Sequence, residues 1–194
     1  MQKKEIINVT KTSFIELNHF ENEKLIEKCV EEAKDSLLVN PPIYIYGKQA
    51  FQHRSIGFFS NSSIGYKYSG QLAKSIKLTP SLEQLLDIVN GLYKSSFNGI
   101  LINKYMNGDD YIGAHSDDEN NLNKIGVVCI SHGATRTFRI RDKATKKIIV
   151  DIPTLNNSIM HMSENFQKDC LHEIPKEAKV KDIRYSFTFR KHLI

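Results

Sequence analysis

At 194 residues, with 40% hydrophobic and 25% charged side chains, the chain can bury one core and has an ordinary globular composition. No apolar run approaches the roughly 18 residues of a membrane span. The opening MQKKEIINVTKT lacks the apolar stretch of a secretory leader, so an intracellular protein without a membrane partner is expected. The 27 Lys and Arg against 22 Asp and Glu leave +5, too mild a surplus to identify a partner. Cys29, Cys129 and Cys170 have no CxxC spacing, which argues against a disulfide framework or a structural zinc site.

Residues 21–34, ENEKLIEKCVEEAK, put Leu25, Ile26, Cys29, Val30 and Ala33 at helical spacing and predict an amphipathic helix. NPPIYIYGKQAF then predicts a short strand, a turn at Gly47 and Lys48, and a return strand. TPSLEQLLDIVNGLYK predicts a second helix. Thr79 suits its cap and Pro80 its first turn, with Leu82, Leu85, Leu86, Val89 and Leu92 as the buried stripe.

From Phe97 the period falls to two. Strands are predicted at 97–106, 111–117, 125–131, 135–142, 147–152, 157–162, 170–174 and 182–190, joined by Asn-Gly, His-Gly and Lys-rich turns. No repeat, linker or composition break divides the chain. Helices followed by many short strands predict a mostly β, α+β fold of closed or double-sheet antiparallel form, with a jelly roll the first choice.

Four stretches carry chemistry. In YIGAHSDDE, His115 and Asp117 are two apart and share one face of a strand. The pair reads either as a hydrogen-bonded surface couple or as two-thirds of the facial triad that holds non-haem Fe(II). Asp118 and Glu119 follow directly, as a solvated turn or as further acids of one pocket. His172, in CLHEIP, is the candidate third ligand.

RYSFTFR alternates Arg184, Ser186, Thr188 and Arg190 with Tyr185, Phe187 and Phe189. That row belongs either to an edge strand facing water or to an interior that binds a dianion through bidentate arginine. The run RTFRIRDKATKK, 136–147, has six cations and one acid, and reads as a solvated strand face or as a phosphate contact.

Taken together, IYIYGK, YKYSG, FNGILINKYMNGDDYIGAHSDDE, ISHGATRTFRIR, NNSIMHM, LHEIPK and RYSFTFR resemble the AlkB-like Fe(II)/2-oxoglutarate dioxygenases, in particular the nucleic-acid-repair homologues two and three. The resemblance implies a double-stranded β-helix, or jelly roll, with N-terminal helices and a hairpin lid. It implies a domain over 43–194, with nucleotide-recognition hairpins at 43–78 and a core at 97–190. Residues 1–42 are then a helical extension packed on that core.

Position by position, the resemblance makes His115, Asp117 and His172 the iron ligands. Asn103, Tyr105, Arg184, Ser186, Thr188 and Arg190 become 2-oxoglutarate contacts, Ser186 replacing the family's usual asparagine. Tyr46, Gly47 and Lys48 sit on a hairpin that fills the gap left by a flipped base, and Tyr66, Lys67 and Tyr68 line the pocket that receives it. Asp118 and Glu119 favour a cationic methylated base, and Arg136 and Lys143 lie near the opposite strand.

The implied activity consumes O2 and 2-oxoglutarate at Fe(II), oxidises N-linked methyl groups of bases such as 1-methyladenine and 3-methylcytosine, and releases formaldehyde. Alkylated DNA is the implied partner, with RNA left open, and a monomer is expected. Alternatives are a dioxygenase of protein or lipid, a silent nucleic-acid-binding module on the same barrel, and a zinc hydrolase using the same three ligands.

Overall fold

The computed structural model describes residues 4–45, 47–68, 71–117 and 125–191. Its first half runs β1 (Glu5–Asn8), β2 (Phe14–His19), α1 (Glu23–Ala33), β3 (Pro42–Ile45), β4 (Lys48–Phe51), β5 (Ser55–Phe59), β6 (Gly65–Tyr68), β7 (Gln71–Lys74) and α2 (Pro80–Tyr93). The second half runs β8 (Gly99–Tyr105), β9 (Ile112–His115), β10 (Val127–Gly133), β11 (Arg136–Asp142), β12 (Ile148–Thr154), β13 (Ser158–Met162), the short α3 (Phe166–Asp169), β14 (Cys170–Ile174) and β15 (Arg184–Arg190).

A seven-stranded antiparallel sheet in the order β1-β2-β13-β10-β15-β8-β5 faces a four-stranded one in the order β12-β11-β14-β9. This is a jelly roll, with the hairpins β3–β4 and β6–β7 attached. Every predicted strand from Phe97 onward is found within two residues of its expected bounds. Among the described residues no helix is long and apolar enough to cross a membrane.

Both long helices begin as their sequences dictate. The Asn22 side chain accepts from the Leu25 N–H at the start of α1, and Thr79 accepts from Leu82 before Pro80 opens α2. Their apolar faces cover the outer face of the large sheet. Leu25, Ile26, Leu82, Leu85 and Val89 share one buried cluster with Ile100, Ile130, Phe187 and Phe189. Leu92 departs from the expected stripe and is 63% exposed. At about 100° per residue it points about 80° away from Leu82, whereas Tyr93 points within about 20° of it and takes the inward place.

Strand β15 lies between β10 and β8, and all seven of its residues are buried. This overturns the edge-strand alternative: the aromatic row meets the helices and the polar row faces the other sheet. A second core lies between the sheets, built from Ile15, Ile112, Val127, Phe138, Ile140, Met160, Met162 and Phe166.

The N-terminal 42 residues are not purely helical, which corrects that expectation. Strand β2 pairs with β13 through Ile15↔Met162 to His19↔Ser158, so the large sheet begins here. Buried Glu16 interrupts the apolar alternation of β2, held by Lys4 Nζ at 2.7 Å, and this hides the strand from a hydrophobicity reading. Ile15→Ala should therefore act as a core truncation, lowering unfolding free energy by about 2–5 kcal/mol in urea denaturation. A loss below about 0.5 kcal/mol, usual for surface changes, would mark β2 as peripheral.

Candidate metal centre

His115 ends β9 and His172 sits in β14 directly opposite, as a paired residue of the register. Cross-strand partners project to the same side, and the two imidazoles lie with ring centroids 4.3 Å apart. Asp117 follows two residues after His115, where the chain has left the strand. Its backbone N–H donates to buried Gln167 Oε1 at 2.8 Å, which returns the carboxylate to the histidines. Asp117 Oδ1 is 3.8 Å from His115 Nε2, and Oδ2 is 3.7 Å from His172 Nε2.

All three donors lie within 4.8 Å of one another. Donors of a facial set sharing one ion at about 2.1 Å each stand about 3 Å apart, so closure on a cation draws the three together by on the order of an ångström. His115 Nδ1 is 2.8 Å from the Gly113 carbonyl. Donation of the Nδ1 proton there leaves the Nε2 lone pair aimed at the shared space. His172 is stacked on Phe138, with centroids 5.1 Å apart and planes 18° apart.

The protonation states suit a cation. Burial pulls His172 down to about 3, helped by the neighbouring His115 and Arg190. Burial also lowers His115, against the opposing pull of Asp117. For Asp117 burial pushes upward, but Arg190, His172 and His115 outweigh it and hold the carboxyl down at about 2. Two neutral imidazoles and one carboxylate at neutral pH are the ionisation states that metal ligation requires.

These donors border a small cavity whose wall also contains Asn103, Tyr105, Arg184, Ser186, Thr188 and Arg190. Every expected ligand and co-substrate residue therefore lies on one cavity. Arg184 donates from Nη2 to Ser131 Oγ at 2.8 Å, and its Nε and Nη1 are buried without a hydrogen-bond partner. Arg190 donates to Asp117 at 2.8 Å, so this expected co-substrate contact also serves the candidate metal ligand.

Arg54 was not foreseen. Its side chain lines the cavity and donates to Asn103 Oδ1 at 2.8 Å. Three guanidiniums and one carboxylate leave the described wall with a surplus of two positive charges, a fit for a small dianion. Nothing in FQHRSIG marked Arg54, because one arginine between a hairpin and an apolar run looks like surface. Gln167 was equally silent.

The basic run needs correction. Arg136 is 1% exposed and binds Glu177 and three backbone carbonyls, so it is no surface contact for nucleic acid. Its position at the start of β11 turns it inward. Arg139 pairs with Asp151 and Arg141 with Glu173. Lys143 reaches Ser116 Oγ at 2.8 Å and the Gln167 carbonyl at 3.0 Å, beside the candidate centre.

Gly47, at φ +77, and Lys48 form the exposed tip of the β3–β4 hairpin. Tyr46, Asp118 and Glu119 lie outside the described residues, as do the side chains of Tyr66, Lys67 and Tyr68, whose backbone is in β6.

The sequence pattern of the 2OG-Fe(II) oxygenase superfamily matches residues 14–190. Human "DNA oxidative demethylase ALKBH2" is 30% identical over 160 residues, covering 78% of this chain and 61% of that protein. Human "Alpha-ketoglutarate-dependent dioxygenase alkB homolog 3" is 33% identical over 120 residues, covering 57% and 42%. This chain thus spans about three-fifths of the length of the ALKBH2 relative. The solved structure of OsALKBH1 superposes with TM-score 0.60 at 15% identity, covering 97% of this chain and all of that one, a likeness of fold.

The depressed histidines predict how metal-free protein responds to acid. Between the ordinary value of 6.5 and about 3, the unfolded chain takes up a proton at His172 that the folded chain refuses. Stability is therefore lost as pH falls through that window, by about 1.4 kcal/mol per pH unit for each such histidine. His172→Gln should reduce the slope by about one proton in urea titrations with chelator present. An unchanged slope would show that His172 is not held neutral.

Proposed function

Since the chain belongs to the 2OG-Fe(II) oxygenase superfamily, we propose that it is an Fe(II)- and 2-oxoglutarate-dependent oxidative demethylase of N-alkylated bases in nucleic acid, acting as a monomer. The observation that carries this reading is the cavity itself. A His115–Asp117–His172 donor set lies on the same wall as a buried arginine with two unpartnered nitrogens.

In this reading His115, Asp117 and His172 hold Fe(II). Arg184 meets the distal carboxylate of 2-oxoglutarate, because its unpartnered N–H groups lack a buried counter-charge. Asn103, Tyr105, Ser186 and Thr188 shape the remainder of that subsite. Bound Fe(II), with 2-oxoglutarate and O2, supplies the oxidation of an N-methyl carbon, which leaves as formaldehyde while 2-oxoglutarate becomes succinate and CO2.

The chain's own residues orient and shield. Arg190 keeps Asp117 ionised, Phe138 fixes the plane of His172, and Gln167 fixes the backbone at Asp117. Asp118 and Glu119, next in sequence to Asp117, would favour a cationic methylated base over a neutral one. Tyr66 and Tyr68 would stack on the extruded base, worth about 1–3 kcal/mol. Tyr46, Gly47 and Lys48 would occupy the space it vacates.

His115→Ala should leave a folded protein that releases no formaldehyde from 1-methyladenine oligonucleotide above the metal-free control. Arg184→Met should raise the KM for 2-oxoglutarate by about 10–100-fold, the scale on which groups supporting a metal site act. Single-stranded DNA, duplex DNA, RNA, methylated peptide and lipid should be compared for 2-oxoglutarate turnover. Turnover with peptide or lipid alone would replace the nucleic-acid reading, and full activity in His115→Ala would end it.

A further inference from the structure

Arg136 has the most heavily used buried guanidinium outside the cavity. Nε donates to Glu177 Oε2 at 2.8 Å and Nη1 to the Asn107 carbonyl at 2.9 Å. Nη2 donates to the carbonyls of Asp110 at 2.8 Å and Pro175 at 2.7 Å. Those acceptors are not scattered. Asn107 and Asp110 belong to the loop that leaves β8, the strand of Asn103 and Tyr105, and enters β9, the strand of His115. Pro175 follows the last residue of β14, the strand of His172.

The loop is closely fitted there. Gly108 exchanges backbone hydrogen bonds with Val180 and Glu177, and a Cβ at 108 would stand 1.8 Å from the Glu177 carbonyl oxygen. Glu177 in turn accepts from the Thr137 N–H and hydroxyl, closing a ring around Arg136. The Arg136 Cζ also lies over the Tyr105 ring at 5.7 Å, while Arg184 Cζ lies over the same ring at 5.3 Å. Tyr105 is 2% exposed and borders the cavity.

We propose that Arg136 is a positioning residue for the dicarboxylate co-substrate, acting through Tyr105 and the β8–β9 loop. By holding the Tyr105 ring beside Arg184, it presets the subsite before the dianion arrives, so binding does not have to order these side chains. A lysine cannot replace it. One ammonium has three N–H groups on a single nitrogen and cannot address four acceptors from a planar fork. The inference rests on the proposed function, since it assigns the ligand of Arg184 and Tyr105 as 2-oxoglutarate.

The test is calorimetric titration of 2-oxoglutarate into Mn(II)-loaded protein without turnover, with KM and kcat measured separately on the Fe(II) enzyme. Wild type, Arg136→Lys and Glu177→Gln are compared. Arg136→Lys should weaken 2-oxoglutarate binding by about tenfold or more and raise its KM alike, with kcat at saturation changed by less than about threefold. Glu177→Gln, at a partly exposed carboxylate, should shift both constants in the same direction by a smaller factor, and it carries the test if Arg136→Lys does not fold. Wild-type binding with unchanged constants in the folded variants, even with a lower Tm, overturns the inference alone. No binding of 2-oxoglutarate by the wild type overturns the proposed function and this inference with it.

Discussion

Arg190 and Asp117 meet at 2.8 Å where the two sheets converge, both almost sealed from solvent. Either charge buried alone would cost several kcal/mol, whereas paired they hold each other ionised. The contact ties the last residue of β15 to Asp117, two residues beyond the end of β9, and so joins the two sheets at the cavity. It also fixes the chemistry. Asp117 stays anionic while burial keeps both adjacent imidazoles neutral, and the three donors form an asymmetric set aimed at one point.

The position of β15 is what permits that pair. A strand covered on both faces must present an apolar row to the helices and have every polar group on the other row answered. Arg190 is answered by Asp117, while Ser186 Oγ accepts a long hydrogen bond of 3.4 Å from Asn103 Nδ2. Arg54 Nε donates to the Asn103 side-chain oxygen Oδ1. Arg184 is answered only in part, by Ser131. A buried guanidinium left half satisfied is the kind of local inconsistency that marks a binding site rather than a structural core.

The strands from β8 to β15 were legible from period-two side-chain patterns and the turn residues between them, even where burial does not alternate, as in fully buried β15. The two long helices were legible from their apolar stripes, and α2 also from its Thr79 cap and Pro80. The β15 row could be read as a site because two-residue spacing fixes a shared face, whereas Asp117 lies beyond the end of β9 and is turned to His115 with the help of Gln167. Three features were illegible for physical reasons. Strand β2 contains a buried glutamate whose partners come from elsewhere in the chain. Arg54 and Gln167 act only through residues brought near by the tertiary fold. Arg136 sat in a run that looked solvent-facing, and no local pattern reveals that the start of β11 turns its side chain under two loops.

The fate of the arginines changes where nucleic acid would be gripped. The chain has six, at 54, 136, 139, 141, 184 and 190, among 27 basic residues. Three line the cavity, Arg136 is buried, and Arg139 and Arg141 are ion-paired across β11 to Asp151 and Glu173. The planar, bidentate groups suited to reading guanine edges are therefore engaged within the protein. The exterior charge is carried by lysine, which meets a phosphate as a point charge. In the proposed function, attraction to the strand is then salt-sensitive and indifferent to sequence, and discrimination falls to the cavity, where a damaged base would be tested one at a time.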